Sequence, residues 1–233
     1  MNIIVNLFES SLGKKYIMAV SGGALFLFVV AHLLGNLQIF LGPEAINRYG
    51  HFLQANQEIL WFARIGLLGM VVLHLWSAVK LSVENKAARS IPYANWNPTA
   101  ASYASRTMLM SGLIIAVFVI YHLLHFTVQA KSINFTGQNF VAFRDAKGRH
   151  DVYRMMVTGF SSPPVSGFYV LAMGLLCLHL SHGVAAMFQS VGWKNDVYGP
   201  ALDRFAKVAA WLIFLGYVSI PIAVLLGYGK EVK

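Results

Sequence analysis

Residues Met108 to Ala130 read MLMSGLIIAVFVIYHLLHFTVQA, twenty-three residues with no acid, lysine or arginine among them. As a helix rising about 1.5 Å per residue, this stretch would extend about 34 Å, enough to cross a hydrocarbon core about 30 Å thick. Yet it carries two ionisable side chains, His122 and His125. The stretch therefore reads as a membrane span, and it raises the question of what histidine does inside one.

Four more stretches have the same character: Ile17–Phe40, Leu60–Leu81, Phe168–Val191 and Val208–Tyr228. No Asp, Glu or Lys lies well inside any of the five; Arg64 is near the start of the second and Lys80 at its end. The connections hold breaker signals at Gly42-Pro43, Pro92, Pro98, Ser161-Ser162-Pro163-Pro164 and Gly199-Pro200. Pro221 falls within the fifth span, where a kinked helix is tolerated. Trp61, Trp96, Trp193 and Trp211 sit near span ends, as interfacial aromatics do. No internal repeat stands out. The expected fold is all-α, an integral membrane bundle of five transmembrane helices forming one membrane domain over residues 1–233. The long connection from Lys131 to Ser166 is expected to form an ordered cap with a short helix at Val152–Val157.

Composition agrees. Of the 233 residues, 57% are hydrophobic and 12% charged, against about 25% charged in a soluble domain. That excludes a disordered chain, argues against an ordinary globular enzyme and leaves no room for a large catalytic domain beside the spans. The net charge of +9 does not indicate nucleic acid, because the basic residues form no stripe. They occupy the polar connections, where they suit lipid headgroups or an acidic ligand. A single cysteine, Cys177, excludes a disulfide framework, a Cys-rich zinc site and covalent c-type haem attachment. The first apolar stretch is too long for a cleavable signal. Lys and Arg divide nine to nine between the two sides, so Lys14 and Lys15 alone tip the N-terminus inward.

Six of the eight histidines lie within the spans: His32, His74, His122, His125, His179 and His182. An imidazole in hydrocarbon usually faces the bundle interior and has a partner. A lone one is most often a satisfied core residue; six with almost no acid to pair with are not. Because successive helices alternate direction, His32 and His122, each eight residues before its span's end, fall at one depth. His74 and either His179 or His182 fall at the opposite depth, with His182 slightly favoured. Two level imidazoles on facing helices can ligate one haem iron from both sides, which suits electron transfer rather than oxygen chemistry. Two haems b held in this way would stand about 12 Å apart along the membrane normal. Zinc would want ligands converging on one level, and a proton relay would normally include intramembrane acids.

In this pattern the chain resembles the cytochrome b558-type membrane subunit of succinate:quinone oxidoreductase, in its five-helix, diheme form. The matching pieces are Ser11-Leu-Gly-Lys-Lys15, His32-Leu-Leu-Gly-Asn-Leu-Gln38, Arg64 with Leu73-His74, Tyr103-Ala-Ser-Arg-Thr107, Tyr121-His-Leu-Leu-His-Phe126, Ser161-Ser-Pro163 with Gly167-Phe-Tyr169, and His179-Leu-Ser-His-Gly183. The resemblance implies His32 and His122 as ligands of a distal haem, and His74 and His179 as ligands of a proximal one. The His four residues before a Gly selects His179 over His182. It implies an N-terminus in the cytoplasm and a location in the inner (cytoplasmic) membrane. It also implies an iron–sulfur subunit and an FAD flavoprotein as partners, with room for a higher oligomer of the heterotrimer. Electrons would pass from succinate through the proximal and then the distal haem to quinone, with menaquinone frequent in diheme members. The reverse reaction, quinol to fumarate, uses the same parts. A structural anchor, or a transmembrane cytochrome without dehydrogenase partners, are the rival readings.

Lesser positions follow. His125 and His182 each come three residues after a proposed ligand, and read as hydrogen-bonding neighbours or alternative ligands. Arg106, at the entrance of the third span, suits a haem propionate or a lipid phosphate. Ser21 and Lys194 are further polar residues on the same side. Lys14 and Lys15 read as topology signal or partner contact. Glu58, with His51, Asn36, Gln38 and Trp61 nearby in sequence, could exchange protons with a quinone.

Overall fold

The structure is a computed structural model that describes residues 3–88 and 103–230. Arg89, Pro92, Trp96, Pro98 and Lys233 lie outside the described residues. Helices α1 (Ile3–Glu9) and α2 (Ser11–Leu37) open the chain, followed by α3 (Pro43–Ala55), α4 (Gln57–Ala87) and α5 (Tyr103–Arg106). Then come α6 (Met108–His122), α7 (Val152–Phe160), α8 (Pro163–Ser190) and α9 (Gly199–Leu225). Five segments are long and apolar enough to cross a membrane: Ser11–Leu41, Gln57–Ala87, Met108–Thr127, Pro163–Ser190 and Gly199–Leu225.

Four of the helices begin before the apolar stretches that announce them, whereas the third span, Met108–Thr127, stops three residues short of Ala130 and α9 stops three short of Tyr228. α4 begins three residues before Leu60 and continues through Glu84, Asn85 and Lys86, and α9 begins nine residues before Val208. An apolar run measures the hydrocarbon, whereas the helix continues into water wherever its polar residues are good helix formers. Trp211 consequently lies well inside α9 rather than near a helix end. Ser10 starts α2 by accepting the Gly13 N–H at 3.0 Å. Pro163–Pro164 and Pro200 occupy the first turns of α8 and α9, where proline lacks only an N–H the helix would not use. α9 runs through Pro221 unbroken.

α2, α4, α6 and α8 surround a common axis. α2 packs on α4 and α8, and α6 on α8, while the α4–α6 side is thinly packed. α9 lies outside, closely against α8 and also against α2. Its fully buried Ala206 and Ala210 face Val184 and Leu180; small side chains let backbones approach where no hydrophobic force between helices operates.

The connection after α6 is ordered, as expected, and its helix is longer than expected, Val152–Phe160 rather than Val152–Val157. Asp151 caps α7 through the Arg154 N–H at 3.0 Å and receives Asn47 Nδ2 from α3 at 3.0 Å. Asn47 Oδ1 in turn accepts the Tyr153 N–H at 2.9 Å. Glu44 is in the first turn of α3. There it pairs with Arg149 at 2.7 Å and Lys147 at 2.9 Å. Those two cations hold its carboxyl down at about 2, and Arg149 is pushed up by Glu44 and Asp145. On the opposite side, Lys14 is buried and paired with Glu84 at 2.6 Å and the Glu9 carbonyl at 2.8 Å. Its ammonium is therefore committed within the chain and is no free partner contact.

Candidate functional site

The histidines meet in two pairs across the bundle. His32 on α2 faces His122 on α6 with ring centres 5.8 Å apart, and His74 on α4 faces His179 on α8 at 6.4 Å. In the order α2–α4–α6–α8 these are the two diagonals, so each pair spans the axis. Such separations would also suit ordinary aromatic pairs. The outer nitrogens decide.

Ser21 Oγ lies 3.3 Å from His74 Nδ1, and its own hydrogen goes to the Ile17 carbonyl at 2.7 Å. The Met18 carbonyl, which can only accept, lies at 3.3 Å from the same nitrogen. Ser111 Oγ stands 3.3 Å from His179 Nδ1 and donates to the Met108 carbonyl at 3.1 Å. The Met18 carbonyl places the His74 proton on Nδ1, and with the Ser111 hydrogen on the Met108 carbonyl the same tautomer follows for His179, leaving the Nε2 lone pairs bare. A hydrogen bond at the nitrogen turned away from the metal is typical of metal-ligating histidine.

The two levels are joined along α2 and α6. Ser21 touches the first level and His32, eleven residues on, belongs to the second; Ser111 and His122 repeat that interval. At about 1.5 Å per residue the levels are about 16 Å apart, more than the expected 12 Å, because depths counted from the ends of apolar runs misjudge where the longer helices lie.

That interval belongs to a repeat missed in the sequence. Ser21-Gly22, Phe28 and His32-Leu33-Leu34 on α2 recur in register as Ser111-Gly112, Phe118 and His122-Leu123-Leu124 on α6. The contacts recur with them. Phe28 stacks on His32 at 5.3 Å, and Phe118 on His122 at 6.0 Å. A Cβ on Gly22 would stand 3.0 Å from His74 Cε1, and one on Gly112 3.3 Å from His179 Cε1. On α4 and α8 each ligand candidate is flanked by leucines, Leu73-His74-Leu75 and Leu178-His179-Leu180. The Ser-Gly pair of one helix thus seats the imidazole of the next, serine holding its N–H and glycine leaving room for its ring.

The remaining positions divide. His182 is half-buried, a turn beyond His179 and within electrostatic reach of Lys194 and Asp203. Lys194 is itself paired with Asp203 at 2.6 Å. His125 is fully buried in a π-turn, Leu123–Thr127, that follows His122. Its Nδ1 lies 3.0 Å from Tyr169 Oη, which is also 3.3 Å from His122 Nδ1. Arg106 is exposed, over the Tyr103 ring at 6.0 Å. Glu58 and Trp61 are exposed at the start of α4. His51 lines a cap-side cleft with Gln54, Arg144, Lys147, Arg149 and His150. Ser111 and Tyr169 were not singled out individually from the sequence, since hydroxyl residues are common in membrane helices.

The residues fit haem. An imidazole–metal bond is about 2 Å and the ring centre lies about 1 Å beyond the nitrogen, so two rings bound to opposite sides of one iron stand about 6 Å apart. Zinc fits less well, because each level offers two imidazoles and no group of three or more His, Cys, Asp or Glu occurs among the described residues.

Fold and site together define a multi-pass helical membrane protein with paired, pinned imidazoles at two depths. Residues 85–220, more than half of the chain, match the family of the succinate dehydrogenase/fumarate reductase transmembrane subunit, and the chain belongs to that family. No curated protein and no solved structure gives a match.

Proposed function

We propose that this chain is the diheme cytochrome b subunit of a succinate:quinone oxidoreductase, acting as one membrane domain in the inner membrane with its N-terminus in the cytoplasm. His74 and His179 hold the proximal haem b on the N-terminal side, and His32 and His122 hold the distal one on the cap side. When bound, the haems supply one-electron exchange at each level. The chain's own contribution is to hold His74, His179 and His122 by hydrogen bonds at Nδ1 and His32 by packing, keep water from them with apolar helices, and set the two levels apart. His182 and His125 lie outside the facing pairs, as neighbours and not ligands.

The N-terminal face, with exposed Lys15, is the docking side for the iron–sulfur subunit that links this chain to the FAD flavoprotein. Quinone, by the family's habit menaquinone, is served on the cap side, where Glu58 is placed to exchange protons. Arg106 is placed on the N-terminal side to meet a propionate.

The observation that carries this reading is the double pinning of facing imidazoles by Ser21 and Ser111. Reduced-minus-oxidised spectra of the purified complex, with haem counted per chain, test it. Two b-type haems per chain are expected; one or none would end the diheme reading. Co-purification with a flavoprotein and an iron–sulfur protein separates this function from that of a stand-alone cytochrome.

A further inference from the structure

The two halves of the repeat part company at the cap-side level. The position equivalent to His125 on α2 is Gly35, and the position equivalent to Tyr169 on α4 is Arg64, each counted from its half's histidine. Only the second half therefore sets a tyrosine between two imidazoles. The Tyr169 ring is buried and in edge contact with Phe118 and Phe160, with ring centres 5.0 Å away in each case.

A hydroxyl carries one hydrogen and can also accept. If Nε2 of His122 is turned towards His32, its Nδ1–H needs an acceptor, and Tyr169 Oη is the one within reach. The phenol hydrogen then points to His125 Nδ1 at 3.0 Å. His125 has no exposed surface, and its Nε2 finds no hydrogen-bond partner. An apolar side chain would fill that place without leaving a polar atom unpaired. Among the described residues His125 makes one hydrogen bond, with Tyr169, and the π-turn that carries it, a feature frequent at functional sites, follows directly on His122.

We propose that Tyr169 is a positioning residue for His122 and that His125 acts through it. Tyr169 fixes the tautomer and orientation of His122 and, by accepting its N–H, raises the basicity of that imidazole; His125 fixes the orientation of the phenol. This rests on the reading of His122 as a distal haem ligand.

The test is a redox titration of the intact complex, following the two haems separately. Tyr169→Phe keeps the ring and removes the hydroxyl. A less basic imidazole favours the oxidised iron less, so the distal haem should become easier to reduce, by about tenfold in its oxidised-to-reduced ratio, or about 59 mV upward. The proximal haem should not move. His125→Leu should shift the distal haem in the same direction, and His125→Gln, whose amide oxygen can take the phenol hydrogen, should restore it. The double variant Y169F/H125L should match Y169F. An unmoved distal potential in Y169F, or additive shifts in the double variant, would overturn the proposal. Should Y169F lose its distal haem, the His125 pair decides, and equal potentials for His125→Leu and His125→Gln overturn it. A wild-type complex with no second haem would instead overturn the function proposed above, before any variant is made.

Discussion

Ser21 and Ser111 occupy matching places in the repeat, yet removing them should have unequal effects. His179 Nδ1 has one acceptor, Ser111 Oγ at 3.3 Å. His74 Nδ1 has two, Ser21 Oγ and the Met18 carbonyl, both at 3.3 Å. Ser111→Ala therefore strands a buried N–H, at a cost of about 1–3 kcal/mol. Ser21→Ala passes the same bond to a carbonyl that cannot be mutated away. An imidazole that has lost its acceptor is a weaker base and supports the oxidised iron less. If about 1.4 kcal/mol of that cost falls on the oxidised form, the proximal midpoint rises by about 59 mV in Ser111→Ala. Less than half of that is expected in Ser21→Ala. The assay is a redox titration of the proximal haem in the two complexes, with haem content checked first. Equal shifts, or shifts confined to the distal haem, would refute the tautomer argument, because the extra acceptor at His74 would then have no consequence.

His32→Ala should remove the distal haem and leave the proximal one; a variant that still titrates as two haems would break the proposed pairing. Gly22→Val should lower proximal haem content, since its Cβ alone would stand 3.0 Å from His74 Cε1, whereas Gly66→Ala, with nothing within 4 Å, should leave content unchanged. Equal content in these two variants would mean that the ring is not seated on Gly22. At the cap, the Glu44 carboxyl stays ionised from its ordinary value near 4.5 down to about 2 because Arg149 and Lys147 hold it. A depressed folded-state value means that its stabilisation is complete above pH 4.5 and drains away as the pH falls towards 2. The difference in thermal midpoint between wild type and Glu44→Gln should narrow over that window, and a constant difference would show that the pairing is inert.

The five spans and the two depths were legible because charge is so scarce in the apolar runs that each histidine there is conspicuous. Helix ends were less so, since Gln57, Glu58, Glu84 and Lys86 extend α4 past the hydrocarbon without any apolar signal. α3 was hidden by Gly42-Pro43, which reads as a turn but also places proline at the first position of a helix. Depth slightly favoured His182 over His179, whereas in the structure His179 is the one that faces His74. Ser111 was invisible for another reason. A serine in a membrane helix normally bonds to its own backbone, and only the approach of α8 shows that its spare lone pairs serve His179. The repeat escaped notice because its matching residues are separated by apolar positions that are free to vary.

The same repeat explains what α9, which carries no histidine, contributes. His122 has a hydroxyl at its outer nitrogen, but His32 has no hydrogen-bond partner among the described residues, and its orientation rests on packing. Phe28 stacks on one side of it, and Tyr217 of α9 comes within 6.3 Å, ring centre to ring centre. The Tyr217 hydroxyl donates to the Val29 carbonyl at 2.8 Å, one turn before His32, and makes no hydrogen bond to the imidazole among the described residues. Gly216 lets the helices close, as a Cβ there would stand 2.9 Å from Leu33 Cδ2. α9 thus clamps α2 at the turn that bears His32, giving by van der Waals contact what α8 gives His122 by a hydrogen bond. A side chain held by packing responds to loss of any one contact less sharply than one held by a single directional bond. The two sides of the proposed distal site are therefore held unequally, and on that proposal His122 is the side on which the protein can tune it.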